Sequence, residues 1–308
     1  MNYDKFLEKV KEAAQEQLGI GYSVGLQKIT KINGIVLDGL TISETDKNLA
    51  PTIYLNTYYT RFEQGEALPD ILKEIISLYM ENADIPMGDM SKILDFNNVK
   101  DRIVYKLVHK ETNQELLKDI PFFEFLDLAV IFSLILDQGE EVQMTSLIHN
   151  HHVTAWGTTK EELYQLAKKN TPELLPPVIK TMKEVIHDML REEFGDSSMG
   201  ELLDDFLETD PKAPILYILS NKRMLNGAGC ILYDDCLRKF AAEQNADIII
   251  LPSSINEIIL IPDKGDLDYE NLQETVSQIN KDEVPDEDIL SNSVYKYSRQ
   301  DCLISLVK

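Results

Sequence analysis

The sequence predicts an α+β protein: an N-terminal helix, hairpin and antiparallel sheet with helices, followed by a C-terminal α/β sandwich. Three observations predict it. Apolar residues recur at helical spacing near both ends of the chain, β-branched and aromatic runs bounded by turn residues fill the stretch from Arg102 to Asn150, and strand and helix patterns alternate after Pro214. With 308 residues and 44% hydrophobic composition, the chain is long enough to bury one large core or two ordinary ones.

In the first element Phe6, Leu7, Val10, Ala13, Ala14 and Leu18 recur between charged positions, and Gly19 and Gly21 stop the pattern, so residues 3–18 are expected to form an amphipathic helix. A hairpin follows over 22–30 and 35–42, with Asn33-Gly34 supplying the positive φ angles of a tight primed turn. Beyond Pro51 the pattern is mostly helical, with Ile71, Leu72, Ile75, Ile76, Leu78 and Tyr79 on an apolar face that ends before Pro86. Three runs, 103–108, 122–136 and 142–148, read as strands of a small antiparallel sheet. Helical patterning returns over 160–193, where Pro172, Pro176 and Pro177 are expected to divide it, with Val178 and Ile179 extended. The acidic stretch 195–213 is the expected connector, separating a mixed region 1–194 from a sandwich over 214–308, although Leu202, Leu203, Phe206 and Leu207 could form a docked helix within it. The sandwich is expected to contain strand 215–219, helix 229–244 and strands 247–251 and 257–261. Helix 267–279 and strands near Val294 and Leu303 complete it.

The 53 acidic residues against 30 basic ones leave a formal charge of −23, spread over both halves of the chain. Such a charge repels a phosphate backbone, so direct nucleic-acid binding is not expected, whereas a protein partner could meet the acidic surface. Cys230, Cys236 and Cys302 form no CxxC pair and no even-numbered framework, which fits a reducing compartment and a cytoplasmic location. Cys230 and Cys236 are expected on different faces of one helix. The segment Met1 to Val10 lacks the apolar run of a secretory signal, and the longest apolar run, Leu128 to Leu136, falls short of the roughly 20 residues of a membrane span.

Several segments resemble one bacterial family: Ala50-Pro51-Thr52-Ile53-Tyr54-Leu55 with Tyr58, Phe122 to Asp127, and Asn150 to Trp156 with Gly157. Gly227 to Tyr233, and Leu251-Pro252-Ser253-Ser254-Ile255, extend the match. Together they are similar to the domain of unknown function 5688 family. That resemblance implies no activity, substrate or cofactor. It does suggest a histidine after the Ser-Ser-Ile segment, where this chain has Asn256, so a titrating base there is not expected.

Three groups of residues could carry chemistry. His149, His151 and His152 hold three of the five histidines, and imidazole is a common transition-metal ligand, with Asp127, Glu140 and Glu141 as carboxylates that could approach. Asn221, Lys222, Arg223, Gly227 and Gly229 lie on a strand-to-helix loop that could hold an anion on free amides. The competing reading is a connection whose glycines allow tight entry into the helix. Ser253, Ser254, Asn256 and Glu257 lie between two apolar strands and could shape a pocket or simply make the turn. No Walker motif, HExxH or GxSxG accompanies them.

These residues make no complete catalytic set, and the charge is the chain's most unusual property. The expectation is a non-enzymatic interaction or regulatory protein acting on a protein partner through its acidic surface. The alternative is a small-molecule or anion sensor, or an enzyme, using the loop from Asn221 to Gly229. No cofactor and no oligomeric state is read from the sequence.

Overall fold

The computed structural model describes residues 1–44, 52–83, 95–138, 143–194, 214–265 and 267–307. The fold is α+β, with antiparallel sheets and several helices. The chain divides into two compact units, Met1–Met90 and Ser91–Lys308.

In the first unit α1 spans Tyr3–Leu18. The Asn2 side chain accepts from the Lys5 amide at 3.2 Å, and Gly19, with φ of 80°, ends the helix. Strands β1 (Tyr22–Thr30) and β2 (Val36–Glu44) pair across a 3-10 turn, Ile32–Gly34, in which Asn33 and Gly34 both have positive φ as expected, although the register makes the turn one residue longer than the tight primed turn; β3 (Thr52–Tyr54) pairs with β2. Helices α2 (Asn56–Glu63) and α3 (Leu68–Ala83) follow. Phe6, Val10, Leu40, Ile42, Leu55, Ile71 and Ile75 are fully buried in one cluster. Leu78 faces outward, and Pro86 lies outside the described residues.

The second unit begins with α4 (Phe96–Val99), β4 (Ile103–His109) and α5 (Gln114–Leu117). The run 122–136, expected as one strand, is instead a hairpin of β5 (Phe122–Phe125) and β6 (Leu128–Gln138), turned by Leu126 at a φ of 55°. β4 lies along β6, β5 pairs its first part, and β7 (Gln143–Leu147) pairs its last.

Helix α6 (Asn150–Trp156) leads to α7 (Lys160–Leu174). α7 runs through Pro172 rather than breaking there. A proline this close to the helix end removes only a terminal bond, and the neighbouring residues pin the turn to β4. Asn170 Nδ2 donates to the Lys100 and Ile103 carbonyls, and Thr171 Oγ1 accepts from the Tyr105 amide.

Then come β8 (Pro177–Thr181), α8 (Met182–Phe194) and β9 (Tyr217–Asn221). The helix expected over 229–244 is two pieces, a 3-10 segment Gly227–Leu232 and α9 (Cys236–Gln244), because Asp235 takes a left-handed φ of 68° between them. Cys230 and Cys236 therefore belong to different elements. Burial pushes their thiols up to about 12 and about 11. The chain finishes with β10 (Asp247–Leu251), β11 (Ile258–Asp263), α10 (Tyr269–Asp282), β12 (Tyr295–Ser298) and β13 (Leu303–Leu306).

These strands form a six-stranded antiparallel sheet in the order β13-β12-β10-β11-β9-β8, so strands from both sides of the stretch 195–213 pair directly. Residues 195–213, including Leu202, Leu203, Phe206 and Leu207, lie outside the described residues. Both sheets of this unit share one core. Ile103, Leu107, Leu128 and Phe132 cluster with Leu219, Ile248, Ile250, Leu260 and Tyr295. The opposite face of the larger sheet packs Ile249, Leu251 and Ile261 against Val276 of α10. Among the described residues no helix is long and apolar enough to cross a membrane.

One core residue yields a stability prediction. Tyr105 is 2% exposed, and its hydroxyl has no hydrogen-bond partner among the described residues. A buried polar group without a partner costs free energy. Tyr105→Phe is therefore expected to stabilise the protein by about 1 kcal/mol. Urea titration of both proteins checks this, and a clear loss of stability would contradict it.

Candidate functional site

The histidine turn caps α6. His149 precedes the helix, and its Nδ1 lies 2.8 Å from Asp119 Oδ2. His152 Nδ1 accepts from the His149 amide at 3.0 Å, so that lone pair is already used by the backbone. The His151 and His152 rings are 3.9 Å apart, and His152 stacks on Trp156, which in turn packs against Phe96. Burial, and then the neighbouring His151 and His149, hold the His152 imidazole below its ordinary value. Among the described residues no group of three or more His, Cys, Asp or Glu is arranged to hold a metal ion. Glu140 and Glu141 lie outside them.

The other two predicted groups meet. β9 and β11 are neighbours in the sheet, which brings the loop 221–229 against the turn 253–257. Asn256 is the shared hub. Its backbone carbonyl accepts from Ser220 Oγ at 2.6 Å and from the Gly227 amide at 3.1 Å, while its Oδ1 accepts from the Asn226 amide at 3.1 Å. The Ala228 amide donates to the Ile255 carbonyl and the Gly229 amide to the Asn226 carbonyl. Asn221, 1% exposed, closes the loop by donating to the Leu225 carbonyl and accepting from the Arg223 amide. These amides are committed inside the fold, which leaves the exposed side chains of Lys222 and Arg223 as the loop's outward charges. Ser254 Oγ accepts from the Asn256 amide, and the Ser253 carbonyl from the Leu290 amide. Burial, with Asp288 nearby, raises the Glu257 carboxyl.

Sequence reasoning missed a fourth group. Asp127, at the β5–β6 turn, accepts from Ser291 Oγ at 2.6 Å, from Ser293 Oγ at 3.0 Å and from the Tyr295 hydroxyl. His109 Nε2 stands 4.0 Å from the same carboxylate. Burial alone would raise the Asp127 carboxyl, but the hydroxyls of Ser291, Tyr295 and Ser293 together hold it below its ordinary value. Both serine hydroxyls donate to the carboxylate and not to the imidazole, so neither Ser291 nor Ser293 is set up as a nucleophile. The group ties the smaller sheet to the larger. The alternation Ser291-x-Ser293-x-Tyr295 was the available signal, since a period of two puts three hydroxyls on one side of an extended chain.

The charge itself has a concentrated location. Residues 263–288 carry ten carboxylates against Lys264 and Lys281, a net −8 out of −23. Asp263 is used internally, accepting from Lys296 at 2.8 Å and from Tyr269 at 2.6 Å. Asp268, Glu270, Glu274, Asp282 and Glu283 are exposed on α10 and its ends, and Asp286 and Glu287 on the turn after it. Val276 and Asn280 anchor the inner face of the helix, Asn280 donating to the Ser291 carbonyl at 3.0 Å and to Asn292 Oδ1 at 2.8 Å. Ile279, 42% exposed, stands among the acids. Asp282 and Glu283 lie at the helix C-terminus, where the macrodipole disfavours negative charge, so helix stability does not account for their placement.

A family model described as a family of unknown function, DUF5688, matches residues 3–299, nearly the whole chain. No curated protein and no solved structure matches.

Proposed function

The chain belongs to the family of unknown function DUF5688, and on that premise we propose that it is a non-enzymatic binding protein whose acidic ridge, built on α10, docks a basic protein partner. The observation that carries this reading is the set of exposed carboxylates Asp268, Glu270, Glu274, Asp282 and Glu283, on and at the ends of a helix whose inner face packs on the sheet. A rigid row of like charges steers an oppositely charged partner and raises its association rate, while an exposed apolar residue such as Ile279 gives a contact that excludes water. The same charge disfavours a nucleic-acid ligand. A cytoplasmic setting is part of the proposal, supported by three free cysteines.

The test compares wild type with a variant carrying Glu270→Gln, Glu274→Gln, Asp282→Asn and Glu283→Gln. These side chains point outward, so the thermal midpoint is expected to stay close to that of wild type. Affinity capture from the source cells at about 0.05 M salt should retain a basic protein on wild type, lose it on the variant, and release it at about 0.5 M. Identical capture by both proteins, or retention indifferent to salt, would refute the ridge as the docking surface.

A further inference from the structure

A cavity of about 380 Å³ opens between the C-terminal end of α7, the start of β8 and α9. Its floor is apolar and stiff. Pro172, Pro177, Ile179, Phe240 and Tyr233 line it, and the Tyr233 hydroxyl is anchored on the Leu175 carbonyl at 2.9 Å. Its rim carries Lys239 and Glu243, which stand at i and i+4 on α9. Opposite charges at that spacing can pair with each other. Here neither makes an ion pair within 4.0 Å among the described residues. Asp234, the other carboxylate of the rim, is already matched by Lys168 at 3.1 Å. Both side chains are exposed, so the cavity offers, over a largely apolar floor, one solvated cation and one solvated anion that are not held in ion pairs.

The chemistry of a matching ligand follows. An apolar molecule uses neither charge, and a simple amine or acid uses only one. A small zwitterion with an apolar body uses both and covers the floor. We propose that this cavity is a binding site for a free α-amino acid with an aliphatic or aromatic side chain, its carboxylate at Lys239 and its ammonium at Glu243. The volume falls toward the lower end for small-ligand pockets, which suits a ligand of that size. The Tyr233 and Phe240 rings can add cation–π attraction for the ammonium. Cys236 also lines the cavity, but burial pushes its thiol up to about 11, so it stays neutral and contributes wall rather than nucleophile.

Thermal unfolding of the full chain, titrated with L-leucine and L-phenylalanine, tests the site. At least one should raise the midpoint saturably, because a ligand that binds only the native state stabilises it. N-acetyl-L-phenylalanine amide, which keeps the side chain and lacks both charges, should not. Lys239→Met and Glu243→Gln should each weaken binding about tenfold or more while their ligand-free midpoints show that the fold is intact. Lys281→Met, on α10, should bind as wild type does. No saturable shift with either amino acid, an equal shift with the blocked amide, or undiminished binding in both variants would overturn the proposal.

Discussion

Gly227→Ala is expected to lower stability by about 3 kcal/mol, a fall of roughly 6 to 12 °C in thermal midpoint for a unit of this size. The reason is space and not backbone conformation, since Gly227 is absent from the glycines with positive φ. A Cβ at this position would lie 2.0 Å from Ser220 Oγ, 2.5 Å from the Asn256 carbonyl oxygen and 2.9 Å from the Asn221 nitrogen. The serine could rotate, but only by giving up its 2.6 Å bond to that carbonyl. The two backbone atoms have no such freedom, so the loop has to move away from the turn and the Gly227 and Ala228 amides lose their acceptors.

Gly229 is the internal control. A Cβ there meets the Tyr105 ring at 3.3 Å, which asks that side chain to give by only a few tenths of an ångström. Gly229→Ala should therefore cost clearly less. Thermal unfolding of the two variants decides the matter, and equal midpoints would show that the interlock of loop and turn is not what Gly227 protects.

The contrast between these glycines also shows how far the sequence could be read. α1 was legible because its apolar spacing and its Gly19 stop are local, and so were the positive φ angles at Asn33-Gly34. The stretch 122–136 was not, because apolar residues fill both hairpin strands and the turn is made by Leu126, a residue that rarely takes positive φ. The region 227–244 misled for a related reason. Gly227 to Ile231 are all buried, so no period of burial distinguished a 3-10 segment from an α-helix. At the candidate sites the residues were visible and their partners were not. Asn256 reaches the loop through the pairing of β9 with β11, and Asp127 meets Ser291 across 164 residues of chain. The acidic ridge was half legible: the composition of 263–288 is plain, but only the packing of Val276 and Asn280 shows that Glu270, Glu274 and Asp282 sit on a docked helix.

Asp127→Asn is expected to cost about 2 kcal/mol near neutral pH, and Asp127→Ala about 3 kcal/mol. The carboxylate accepts from three hydroxyls, and one of them belongs to Tyr295, whose side chain is fully buried. An amide presents one acceptor where the carboxylate presents two, so at least one hydroxyl loses its partner. Alanine removes the acceptor of all three hydroxyls and unfastens the β5–β6 turn from the segment Ser291 to Tyr295. The pH dependence gives the sharper test. Because the Asp127 carboxyl is held below its ordinary value in the folded protein, its contribution is present above the unfolded value near 3.9 and is lost as pH falls through the folded one. The gap in stability between wild type and Asp127→Asn should therefore be widest near pH 7 and close progressively below about pH 4. His109 Nε2 stands 4.0 Å from Oδ2, so the pair of proteins should also be compared in a His109→Gln background. Urea unfolding across this range measures the gap directly. A gap that is absent near pH 7, or one that persists undiminished in acid with and without His109, would mean that the hydroxyls do not depend on the charge of Asp127.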